Sequence, residues 1–101
     1  MTMNPSPASS SSSPFPYSLL IVDDVEVNRL LLERRLKGNG FRLSFAEDGH
    51  EALEKLRNDH FDLVLLDIMM PGIDGFEVLA TLKADEKLRH IPVIMISALN
   101  E

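Results

Sequence analysis

The chain has 101 residues, with 16 Asp and Glu against 10 Lys and Arg and no cysteine. That length suits one small domain, the acidic balance argues against a broad nucleic-acid surface built on clustered Lys and Arg, and the missing cysteine excludes disulfides, zinc thiolate sites and thiol catalysis. No apolar run approaches the roughly 18 to 20 residues of a membrane span and the start lacks the basic and apolar parts of a signal peptide, so the expected setting is the cytoplasm, without membrane or direct nucleic-acid partners.

Residues 1–17 hold Pro5, Pro7, Pro14, Pro16 and the run Ser9 to Ser13, and no charged side chain. A segment with so little to bury does not offset its ordering entropy, and the expectation is a disordered tail rather than a Pro-rich recognition motif. The domain is expected over 18–101. Leu19 to Val22 is an apolar run closed by Asp23-Asp24, which predicts a strand covered on both faces. Val25, Leu32 and Leu36, flanked by Leu31, share one helical face, and Gly38 and Gly40 end that helix.

Phe41, Leu43 and Phe45 alternate with Arg42 and Ser44, the period of a strand near a sheet edge. A second helix follows Gly49, with Leu53 and Leu56 as its apolar teeth and Glu51–Lys55 as an i,i+4 pair. Leu63 to Leu66 predicts a buried strand ending at Asp67. Asp74 and Glu77 form a capping-box pattern for a third helix that buries Phe76, Leu79 and Leu82. Glu86 to Arg89 reads as a solvated loop, and Val93 to Ile96 as a last strand ending at Ser97. The βαβαβαβ order predicts a parallel, doubly wound α/β sheet with its ligand site at the strand carboxyl ends.

On such a sheet Asp23, Asp24, Asp67 and Ser97 converge on one rim. Carboxylates packed together repel, and Mg²⁺ is a suitable counter-ion because it favours carboxylate and carbonyl oxygens. A metal-bound carboxylate can attack a phosphoryl group, and a neighbouring hydroxyl can hydrogen-bond the transferred group.

The blocks LLIVDD, DLVLLDIMMPGIDGFEVL and IPVIMISA, in that order and spacing, resemble the signature of response regulator receiver domains. The resemblance implies a flavodoxin-like sheet of order 2-1-3-4 and a phosphorelay function, a switch rather than a metabolic enzyme. It implies Asp67 as phosphoacceptor, Asp24 as direct Mg²⁺ ligand, Asp23 acting through water, Met69 contributing its backbone carbonyl and Ser97 as the switch hydroxyl. The implied partner is a histidine kinase or phosphotransfer protein. Asp74 is expected only to cap a helix, Met69 and Met70 to pack in a loop, and His50, His60 and His90 to be solvent-exposed or capping.

A complete receiver continues past the fourth strand with a helix, a fifth strand that ends in a lysine, and a closing helix. None of these has a counterpart before Glu101. The expectation is therefore a truncated receiver, with an output domain or a second chain supplying the missing elements. The alternative function is a phosphorylation-independent interaction module. A phosphohydrolase of the haloacid dehalogenase type typically has a second Asp two residues after its nucleophile, where this chain has Met69.

Overall fold

The computed structural model describes residues 17–96, in which four strands alternate with three helices. They are β1 (Tyr17–Val22), α1 (Glu26–Leu36), β2 (Phe41–Ala46), α2 (Gly49–Asn58), β3 (Leu63–Asp67), α3 (Gly75–Ala84) and β4 (Val93–Ile96). All strand pairs are parallel, in the order β2-β1-β3-β4. This is the flavodoxin-like order expected from the sequence. Val22 lies opposite Ala46 and Leu66, and Asp67 lies opposite Ile96, so the strands finish on a common rim. The expected tail falls outside the described residues except for Tyr17, which opens β1 opposite Phe41.

Leu19, Leu20, Ile21 and Val22 are all buried, as a central strand covered on both faces requires. Leu20 and Val22 join Ala46, Val64 and Leu66 in the main core, closed by Ala52, Leu53 and Leu56 of α2 and Val78 and Leu82 of α3. By the two-residue period of a strand, Leu19 and Ile21 face the other side. No described helix is long and apolar enough to cross a membrane.

Capping follows the expected chemistry. Asp74 accepts from the Glu77 N–H and Glu77 accepts from the Asp74 N–H, each at 2.9 Å, and Lys55 lies 3.4 Å from Glu51. Asp48, which the pattern did not single out, accepts from the Glu51 N–H at 2.8 Å and caps α2.

Two expectations, on Phe76 and on the segment from Glu86 to Arg89, need correction. Phe76 is 60% exposed; the inward face of α3 runs through Gly75, Val78 and Leu82, and Phe76 sits about 100° off it, while Leu79 is partly buried. The α1 positions read as one helical face are covered only in part: Leu32 and Leu36 are half-buried, Val25 and Leu31 are exposed, and no residue of α1 is fully covered. Apolar packing on that side of the sheet thus rests on β1 more than on the helix. The segment from Glu86 to Arg89 is not a solvated loop throughout, because Leu88 is buried in the core and its N–H donates to the Asp85 carbonyl.

Candidate functional site

The parallel sheet delivers Asp23 and Asp24 from the end of β1 beside Asp67 at the end of β3. One carboxylate oxygen from each lies within 4.8 Å of the other two. Asp67 is 1% exposed and Asp23 3%, whereas Asp24 faces solvent.

Asp23 is fixed from several directions. Its N–H donates to the Ala46 carbonyl at 3.1 Å. Its Oδ1 accepts from the Val25 N–H at 2.9 Å and from Asn28 Nδ2 at 3.4 Å. Its carbonyl accepts from Arg29 Nη1 at 2.7 Å. Asp67 is held more lightly, with Oδ1 accepting from the Met69 N–H at 3.3 Å. Behind it, the Ile68 N–H donates to the Ile96 carbonyl at 3.0 Å.

Gly75 lets α3 start against this backbone. A Cβ there would strike the Asp67 carbonyl oxygen and come within 2.8 Å of Ile68 Cα, neither of which has a flexible end to move aside. The Gly75 N–H donates to the Ile68 carbonyl at 3.0 Å, locking the loop after Asp67 to the helix start.

Burial pushes the Asp67 carboxyl up to about 6, and the negative charges of Asp23 and Asp24 push the same way against the single Met69 N–H. The ion pairs among the described residues are Arg29–Glu47, Lys55–Glu51 and His60–Asp62, and none involves the three rim aspartates. The donor set is therefore all hard oxygen, negatively charged and uncompensated, which fits a divalent cation such as Mg²⁺ or Mn²⁺.

The structure thus brings Asp23, Asp24 and Asp67 together, with Met69 following in the adjoining loop. Ser97 lies outside the described residues; Ile96, before it, is paired with Asp67. The Met69 side chain is exposed while Met70 packs into the core. His50, His60 and His90 are all exposed, and His60 pairs with Asp62 at the amino end of β3. Asn28 and Arg29 were not foreseen. Their signal was faint, since two polar residues in a helix's first turns also describe an ordinary solvated face.

The family model described as "Response regulator receiver domain" matches residues 19–101. The response regulator PleD of Caulobacter vibrioides is 49% identical over 82 residues, which is 81% of this chain and 18% of PleD. The polar-differentiation response regulator DivK of Brucella ovis is 43% identical over 81 residues, 80% of this chain and 66% of DivK. This chain therefore spans under a fifth of one curated relative and about two thirds of the other. Among solved structures, the N-terminal domain of a response regulator receiver protein from Methanoculleus marisnigri matches with a TM-score of 0.79 and 41% identity, over 85% of this chain and 70% of that one. Thermotoga maritima TrrA, solved in complex with Mg²⁺ and BeF, matches with a TM-score of 0.76 and 38% identity, over 83% and 71%.

Proposed function

This chain belongs to the response regulator receiver family, and on that premise we propose that it serves phosphorelay signalling by accepting a phosphoryl group on Asp67. The donor is a phosphohistidine of a histidine kinase or phosphotransfer protein. A carboxylate oxygen of Asp67 attacks phosphorus in line; the P–O bond forms as the P–N bond breaks, and the imidazole nitrogen keeps the electron pair. The Met69 N–H on Oδ1 orients the carboxylate and leaves the other oxygen to react.

Asp24, Asp67 and the Met69 carbonyl would hold Mg²⁺ directly, with Asp23 acting through water. The protein's own bonds support that division, because Asp23 Oδ1 already accepts from two donors while Asp24 faces solvent. When bound, Mg²⁺ offsets the charge that carboxylate and phosphoryl oxygens bring together. Ser97 is assigned the switch hydroxyl by resemblance to the family. Receivers of this kind are phosphoacceptor switches with at most slow self-phosphorylation and dephosphorylation.

One observation carries the proposal: three carboxylates within 4.8 Å of one another, none of them ion-paired among the described residues. Fluorine NMR with beryllofluoride and Mg²⁺ tests it. Bound-fluoride signals are expected from the unaltered chain and should vanish with Asp67→Asn or with EDTA. Signals that survive Asp67→Asn would remove Asp67 as acceptor, and no signal at saturating reagent would favour a phosphorylation-independent interaction module.

A further inference from the structure

We infer that Arg29 is a positioning residue for the acidic rim, holding the backbone that presents Asp23 and Asp24; this rests on the proposal that the rim binds a cation and a phosphoryl group. The first turn of α1 is seated by polar links, since the helix fully buries none of its residues and its N-cap, Val25, offers no side-chain bond. Those links converge on Asp23. The Val25 N–H and Asn28 reach its carboxylate, and Arg29 reaches its carbonyl at 2.7 Å, the shortest of the three.

The Arg29 side chain is only 15% exposed, and its second terminal nitrogen lies 3.9 Å from Glu47, the residue after β2. One planar guanidinium from α1 therefore spans the ends of two neighbouring strands, which suits its forked donors better than the point charge of a lysine. Arg29 lines a hollow together with Glu26, Leu30, Glu33 and Phe45. Electrostatics alone does not account for the placement, because a positive charge beside a cation site opposes cation binding. The bond to the Asp23 carbonyl does account for it: that carbonyl sits in the turn that aims the two carboxylates.

These two effects predict opposite signs, so Mg²⁺ titration of the full 101-residue chain by amide NMR separates them. Arg29→Met keeps the stem but removes donors and charge; if Arg29 positions the rim, Mg²⁺ binding weakens about tenfold, the low end of what lost outer-sphere partners cost metal sites. Arg29→Lys, which keeps the charge and one donor group but not the fork, should bind Mg²⁺ more weakly than the unaltered chain and more tightly than Arg29→Met. Arg29→Gln, too short to span both strand ends, should repeat the methionine loss and decides the matter if Arg29→Met does not fold. A purely structural role would lower the unfolding midpoint yet leave the Mg²⁺ affinity of the folded protein unchanged. Unchanged or tighter binding in both neutral variants overturns the inference. Mg²⁺ binding that is absent, or indifferent to Asp67→Asn, overturns the underlying site instead.

Discussion

Asp62 and Asp67 stand at opposite ends of β3, and the fold treats their carboxyl groups in opposite ways. Asp62 accepts from the Ser18 N–H at 2.8 Å, and this bond, helped by His60 against some burial, holds its carboxyl below the usual range. Asp67 is buried beside two more carboxylates with one N–H for support, and it is pushed up to about 6. The amino rim of a parallel sheet offers an unpaired N–H that satisfies a carboxylate from inside the protein. At the carboxyl rim, the clustered aspartates leave a charge deficit that an external cation can fill. One aspartate is a structural fastener and the other is poised for chemistry because its environment does not suit its charge.

Asp67→Asn gives the largest expected effect on this comparison. Without divalent cations at pH 7.5 it should stabilise the fold by about 2–3 kcal/mol, the cost of ionising a carboxyl whose pKa has risen from 3.8 to about 6. Urea denaturation reads this directly. A destabilised variant would mean that Asp67 is well solvated or paired.

The same shift predicts a pH dependence. Between 3.8 and about 6 the folded state holds its proton after the unfolded state has lost it. Stability of the metal-free protein from this group is therefore full below 3.8 and falls as pH rises through about 6. Saturating Mg²⁺ should offset the fall, and Mg²⁺ affinity itself should drop below about pH 6 as protons compete for Asp67. Urea midpoints measured across pH with and without Mg²⁺ check both.

Asp62→Ala should act in the opposite sense and more weakly, costing about 1–2 kcal/mol at neutral pH for the lost bond to Ser18. Asp62 is lowered, so its contribution is present above the unfolded-state pKa and is lost as pH falls through the folded one. The two variants should therefore converge toward the parent stability in acid. Phe76→Ala is the smallest expected change, within about 0.5 kcal/mol in urea, because the ring lies on the outer face of α3.

Much of this architecture is legible in the sequence. Leu19 to Val22 and Leu63 to Leu66 announce buried strands by unbroken apolarity, and the Asp residues that close them mark the rim. Asp74 and Glu77 announce their helix start. What stayed hidden depends on how elements dock. Phe76 and Val78 are both apolar, and it is Val78 that faces inward, on the side of α3 where Gly75 approaches the Asp67 backbone and Leu82 joins the core. The α1 pattern gives a shared helical face, but how far that face is covered depends on what docks on it and not on periodicity alone. Arg29 looks like any helical arginine until the turn after β1 places a carbonyl 2.7 Å away.

The central claim, a cation held at the carboxyl rim beside Asp67, is tested most directly by paramagnetic broadening with Mn²⁺ on the ¹⁵N-labelled chain. Amides of Asp23 to Val25 and Asp67 to Met69 should broaden first, with Ser18 and Asp62 at the far rim spared, and Asp67→Asn should abolish the pattern. Broadening centred instead on the exposed acidic residues Glu47 and Asp48, or spread evenly over the acidic surface, would contradict it.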